Sequence, residues 1–168
     1  TVERCGGFGL HPGSGSQRPS VVNCRATEND DDGFFFCWRV RGGVAEGNWL
    51  ENNGGHGMSI GHKDSDNLVS NNTSLGNRRG GVFWRSEAEP IAAHRNTVEN
   101  NTVRDNDGWW LFVDGVTRDT LIRGNTIEDS GNGRQQTGIR IGKNTANVKL
   151  EDNVIKATTD VVDERTQK

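Results

Sequence analysis

Short bursts of alternating apolar and polar residues recur along the chain at almost constant intervals. They are Gly7-Phe8-Gly9-Leu10-His11, Gly33-Phe34-Phe35-Phe36-Cys37, Gly57-Met58-Ser59-Ile60-Gly61, Gly81-Val82-Phe83-Trp84-Arg85, Trp110-Leu111-Phe112-Val113-Asp114 and Gly138-Ile139-Arg140-Ile141-Gly142. Their first residues lie 26, 24, 24, 29 and 28 positions apart. Each burst carries two apolar residues spaced by two, as in a short strand with one buried face. A partial seventh copy opens at Asp160-Val161-Val162. A second block follows each burst, centred on Asn48, Asn72, Asn101, Asn125 or Asn153. An apolar residue stands three before that asparagine and usually another two after it. Ser74 breaks the rule, with Leu75 as a candidate substitute.

Repetition at this period means a solenoid of stacked units. Each unit reads as a strand, a loop, a second strand bent at an asparagine, and a third strand. Asparagine tolerates left-handed backbone geometry. Its amide both donates and accepts, so copies one coil apart can bond in a ladder. Leucine-rich repeats need more leucines, and helical repeats need apolar residues at i, i+3 and i+4, which are missing. The expected architecture is therefore all-β: a right-handed parallel β-helix, a single-stranded solenoid of about six coils with an Asn ladder. At the usual strand spacing, six coils make a column roughly 30 Å long. The whole chain, 1–168, reads as one such domain.

Composition changes the picture in one respect. Only 30% of residues are hydrophobic, 23 are glycine and none is tyrosine, which fits a thin, repetitive core better than a compact globule. A net charge of −3 gives no general attraction to nucleic acid or to anionic membranes, and neither is expected as a partner. No apolar run approaches the length of a membrane span. The chain opens Thr1-Val2-Glu3-Arg4 without a leader, as a processed or excised piece would. Cys5, Cys24 and Cys37 show no metal-type spacing and are read as buried thiols.

The Gly-x-x-Ile-Gly strands and the Gly124-Asn125-Thr126-Ile127-Glu128-Asp129 type of block resemble right-handed parallel β-helix proteins of the pectate-lyase-like superfamily. The resemblance runs from about Gly7 to Asp160. It is specific for fold and open for activity, because that superfamily includes lyases, glycoside hydrolases, uronate epimerases, tailspikes and non-enzymatic adhesins. Members usually carry an N-terminal helical cap; this chain shows none, as a C-terminal fragment or shortened form would. The resemblance implies a bacterial-type extracellular or periplasmic protein acting on polysaccharide.

If Phe34, Met58, Val82, Leu111 and Ile139 point inward, the residues between them point out. One outward column is then Gly9, Phe35, Ser59, Phe83, Phe112 and Arg140; the next is His11, Cys37, Gly61, Arg85, Asp114 and Gly142. Phenylalanines in register on an outer face suit stacked sugar rings, or an interface with another subunit. The loops that follow bring Trp38, Arg39, His62, Lys63 and Asp64 beside this face. The expected substrate-binding residues are His11, Phe35, Trp38, Arg39, Phe83, Phe112, Asp114 and Arg140. For chemistry, Gly61-His62-Lys63-Asp64 with Arg85 one coil away offers a base and a cation. In the resembling lyases such groups remove a proton alpha to a uronate carboxyl and stabilise the resulting charge. The expected catalytic set is His62, Lys63, Asp64 and Arg85, with Lys63 or His62 as base. Hydrolysis would instead need two carboxylates, and Asp64 and Asp114, two coils apart, are one such pair. The rival reading is a non-catalytic carbohydrate-binding or adhesive solenoid, self-associating end to end or side by side. No cofactor is expected. The acidic run Asn29-Asp30-Asp31-Asp32-Gly33 could offer oxygens to calcium, but it lacks the spacing of a known loop and reads first as an acidic turn. The four histidines lack zinc-site spacing.

Overall fold

A computed structural model describes residues 1–131 and 135–165. Among these residues there is no helix, and the strands stack into three parallel sheets that wind through about seven turns. The first sheet holds Phe34–Phe35, His56–Ile60, Gly80–Trp84, Gly108–Val113, Gln135–Ile141 and Thr159–Asp163. The second holds Ser20–Val22, Val44–Glu46, Leu68–Ser70, Thr97–Glu99, Arg118–Arg123 and Ala146–Glu151. The third holds Val2–Glu3, Arg25–Thr27, Trp49–Glu51, Thr73–Leu75, Thr102–Arg104, Thr126–Glu128 and Val154–Lys156. Every strand pairs with the equivalent strand one coil away, so the sequence repeat and the hydrogen-bond ladder are one thing.

The register of the first sheet follows the apolar alternation. Phe34 pairs with Met58, Met58 with Val82, Val82 with Leu111 and Leu111 with Ile139, all inside the column. Phe36, Ile60, Trp84, Val113 and Ile141 form the second buried row of that sheet. Ala45, Val69, Val98 and Ile122 close the core from the second sheet, and Ala26, Leu50, Val103 and Ile127 from the third. Ser74 itself takes the inward position between Leu50 and Val103, and Leu75 does not substitute for it. Its hydroxyl is satisfied there, contacting the Gly81 carbonyl and the side chains of Asn77 and Asn106.

The asparagine ladder is present. The Oδ1 of Asn72, Asn101, Asn125 and Asn153 each accepts from both the backbone N–H and the side-chain amide of the ladder residue one coil before, at 2.8–3.0 Å. The amide nitrogen of each also donates to a carbonyl of the second sheet, such as that of Val69 for Asn101. The left-handed geometry falls not on these residues but on the one before each: Asn23, Gly47, Asn71, Asn100, Gly124 and Asp152 all have φ between 50° and 63°. The corner residue carries the bend and the next one seals it. A second ladder, Asn29–Asn53–Asn77–Asn106, lines the next corner, and Asn67–Asn96 stack at a third.

Two further expectations are corrected. Leu10 bridges Phe34, so the first coil is displaced by two residues and His11, not Gly9, stands beside Phe35. The cysteines are not buried: Cys5 is exposed and Cys24 and Cys37 are half-exposed, all as free thiols. Cys5 and Cys24 occupy ladder positions on early coils, where their backbone N–H groups donate to Asn29 and Asn48 and their thiols to the Glu3 and Val22 carbonyls.

Candidate functional site

The outer face of the first sheet is a floor of rings crossed by guanidinium groups. Phe35, Ser59, Phe83, Phe112 and Arg140 pair in register along it. Phe8 stacks on Phe35 at 4.1 Å between ring centres, and His11 meets both edge-on. Farther along, His56 stacks on Phe83 at 4.6 Å, Phe83 meets Phe112 at 5.6 Å, and Trp109 meets Phe112 at 5.0 Å. The Arg140 guanidinium lies 4.9 Å from the Trp109 ring and 4.8 Å from Phe112, and is paired with Glu164. Rings and guanidinium planes attract in this geometry, which keeps apolar faces ordered at a solvent boundary.

Arg85 is the centre of the floor. It reaches back over two coils to place its guanidinium 4.3 Å from the Phe35 ring. It donates to the Ser59 hydroxyl at 3.0 Å, the Phe36 carbonyl at 2.9 Å and Asp64 Oδ2 at 3.0 Å. Gly61 makes this possible: a Cβ there would sit 2.4 Å from Arg85 Nε. Asp64 is fully enclosed and also accepts from the Val40 and Gly61 backbone N–H groups. Burial outweighs these bonds and pushes its carboxyl up to about 6. On the other flank, Asp32 accepts from the Ser59 hydroxyl at 2.6 Å and from the His56 N–H at 2.6 Å. Burial raises its pKa as well. His56 is pushed down to about 4, first by burial and then by Arg79, so its imidazole is neutral at neutral pH.

A wall rises beside the floor. The rings of Trp38 and His62, on successive coils, meet at 5.0 Å with a tilt of 38°, and His62 Nε2 lies 2.8 Å from Glu87 Oε1. Burial and the Arg85 charge lower the pKa of His62, with Glu87 opposing. Lys63 and Arg39 border a small recess with Trp38, His62 and Ile91.

The structure therefore brings His11, Phe35, Phe83, Phe112, Arg85 and Arg140 onto one face, and Trp38, Arg39, His62 and Lys63 onto its wall. Asp114 follows Arg85 in the neighbouring column, half-buried. Asp64 is turned inward and does not line the groove, so Asp64 and Asp114 do not flank one cleft as a hydrolytic pair would. The acidic run is divided: Asn29 belongs to a ladder, Asp30 is exposed, and Asp32 turns toward Ser59. The residues that sequence reasoning passed over for this face are Phe8, His56, Arg79 and Trp109, and Asp32 was read only as part of an acidic turn. Their signal was position, since His56 and Trp109 lie in strands of the same sheet and Asp32 stands two residues before one.

Three solved structures illustrate the likeness. A periplasmic alginate epimerase, AlgG, superposes with a TM-score of 0.72 at 12% identity, over 92% of this chain and 44% of that one. The Dettilon tailspike protein gives 0.66 at 17%, over 92% and 33%. The A-module of the Azotobacter vinelandii mannuronan C-5 epimerase AlgE4 gives 0.60 at 17%, over 96% and 60%. The chain thus spans between a third and three-fifths of the length of these proteins, and at such identities they establish the fold. No curated protein matches the chain.

A family match covers residues 11–164, and its description names copper. Copper sites draw on imidazole, thiolate and thioether. Here Met58 is buried in the core, and among the described residues no three of His, Cys, Asp and Glu come together. The buried Nδ1 atoms of His56, His62 and His94 lack partners, but the three do not form such a cluster. The residues present do not fit a copper centre. What the family and this chain share is the coil itself, and on that match the chain belongs to the family described as periplasmic copper-binding protein (NosD).

Proposed function

We propose that this protein acts on an acidic polysaccharide laid along the outer face of its first sheet. The observation that carries the reading is the ring floor of Phe8, Phe35 and Phe83 with Arg85 lying over it and exposed Arg79 at its flank; Phe112 is buried beneath Trp109 and Arg140 and only continues the row. Sugar faces stack on rings, and uronate carboxylates pair with guanidinium. The names of the solved neighbours, two of them epimerases of uronate polymers, support a carbohydrate partner. The chemistry we assign is β-elimination: Lys63 or His62 takes the proton alpha to the carboxyl, the glycosidic C–O bond breaks with its electron pair leaving on the oxygen, which takes a proton from water, and a double bond remains in the sugar. Arg85 and Arg79 hold the carboxylate. In keeping with the family description, we place the protein in the periplasm or outside the cell; no helix is long and apolar enough to cross a membrane.

A second reading, a non-catalytic carbohydrate-binding solenoid, is favoured by one observation. Arg85 and Asp64 largely neutralise each other, and His62 has one nitrogen at Glu87 and the other enclosed. An activity screen on uronate polymers separates the two. Elimination generates ultraviolet absorbance from the new double bond, lost in a Lys63→Ala, His62→Ala double variant. Binding to the polymer without new absorbance or new reducing ends supports the second reading. Absence of both binding and turnover sinks both.

A further inference from the structure

The wall beside the floor carries a binding site of its own. Trp38 and Arg39, and then His62 and Lys63 one coil later, form successive pairs of residues with positive φ: 44° and 67°, then 46° and 67°. Non-glycine residues hold this backbone only where the surroundings enforce it. Here the enforcement is a continuation of the parallel ladder beyond the sheet. Gly15 N–H donates to the Trp38 carbonyl, Arg39 N–H to that of His62, and Lys63 N–H to that of Ile91, at 2.7–2.8 Å. The loops are therefore stacked like strands, and their side chains stand in register. Trp38 stays half-exposed at 53% with its indole against His62, whose ring is braced by Glu87. Ile91, 41% exposed, faces them from the longer loop of the next coil. Arg39, which donates to the Ser14 hydroxyl at 3.3 Å, and Lys63 stand at the rim, and no carboxylate among the described residues lies within ion-pair distance of either.

An aromatic plate, an aliphatic contact and two cations without a carboxylate partner match a single sugar ring bearing a carboxylate. We propose that the recess of Trp38, Arg39, His62, Lys63 and Ile91 binds one uronic-acid residue, stacked on Trp38 with its carboxylate between Arg39 and Lys63. This deepens the polysaccharide reading and rests on it: the ring would be a branch or neighbouring unit of a polymer whose main chain follows the phenylalanine floor. The recess adjoins that floor but shares no lining residue with it, and Lys63, charged in the recess, leaves His62 as the base of the proposed elimination.

Tryptophan fluorescence of the whole chain tests the proposal. Galacturonate and glucuronate should change the emission saturably, while galactose and glucose at the same concentrations should not. Lys63→Met with Arg39→Met should weaken uronate binding at least tenfold, and Trp38→Phe should remove the signal. A Phe35→Ser, Phe83→Ser variant should lose polymer affinity yet keep the uronate response. An equal response to neutral sugars, or uronate binding unchanged in the Lys63, Arg39 double variant, overturns the site. Uronate binding lost in the floor variant, with the circular-dichroism spectrum unchanged, overturns its separateness. Polymer binding measured in the same samples reports on the floor independently.

Discussion

Replacing Asn101 by alanine isolates what the ladder contributes. Asn101 is 2% exposed and its amide makes four hydrogen bonds. Oδ1 accepts from the Asn72 backbone N–H at 2.8 Å and from the Asn72 amide at 3.0 Å; Nδ2 donates to the Val69 carbonyl and to Asn125 Oδ1. The losses are unequal. The Asn72 amide keeps its bond to Ala45, and Asn125 Oδ1 keeps the Asn101 N–H. The Asn72 backbone N–H is left buried with no partner. One orphaned donor costs about 1–3 kcal/mol, and the weakened remainder brings the expected loss to about 3 kcal/mol. Neighbouring Asn100, exposed with φ 55°, is the control: glycine accepts that backbone, so Asn100→Gly should change stability by less than about 1 kcal/mol. Urea unfolding followed by circular dichroism gives both values, read as midpoints with the slope checked for each variant. A loss below about 0.5 kcal/mol for Asn101→Ala would mean that the strand ladders alone hold the coil, and would refute the reasoning.

Three other outcomes follow from the buried charges and from the metal question. Arg85→Met leaves Asp64 enclosed without its cation and should cost about 3–5 kcal/mol at pH 7, with a smaller loss when Asp64→Asn is added; a double-variant loss equal to the sum of the two single losses would show that the pair is not coupled. Asp64 has its carboxyl raised from 3.8 to about 6, so the folded chain binds a proton that the unfolded chain releases. Its contribution therefore favours folding least above pH 6 and declines as pH rises from about 4 to 6. His56, lowered from 6.5 to about 4, tilts stability the other way over that range, so the Asp64 effect is the difference in pH slope between the wild type and Asp64→Asn. Identical slopes would remove Asp64 as a titrating group. Copper(II) at tens of micromolar should leave the melting temperature unchanged, and a saturable rise would contradict the misfit of the donor set.

The fold was legible because a solenoid writes its period into the sequence. One apolar alternation repeated every 24 to 29 residues fixes sheet, register and inward face together, and the Phe34–Met58–Val82–Leu111–Ile139 row is where alternation placed it. The bend chemistry was legible only in part. The second ladder keeps the same interval five residues after the first, Asn48 to Asn53 and Asn72 to Asn77, but it lies outside the apolar blocks and so escaped notice. The left-handed residue was misplaced by one because asparagine suits both the bend and the ladder. The site was harder still. That Arg85 would reach over Gly61 to Phe36 and Asp64, or that Asp32 would bond Ser59, depends on side-chain length and coil stacking, which no single-coil pattern records. Asp64 looked like a loop carboxylate for the same reason, since nothing local distinguishes it from an exposed one.

Calorimetric titration of the wild type and of a Phe35→Ser, Phe83→Ser variant with a uronate oligomer of six or more residues bears most directly on the proposed groove. Both rings are half-buried and outward, so the variant should keep its β-rich circular-dichroism spectrum. The wild type should bind the acidic oligomer with an affinity that falls as salt rises, and should bind a neutral oligomer of the same length at least tenfold more weakly. The variant should lose at least tenfold toward the acidic oligomer. Undiminished binding by the folded variant, or equal binding of the neutral oligomer, would contradict a groove for acidic polysaccharide on this face.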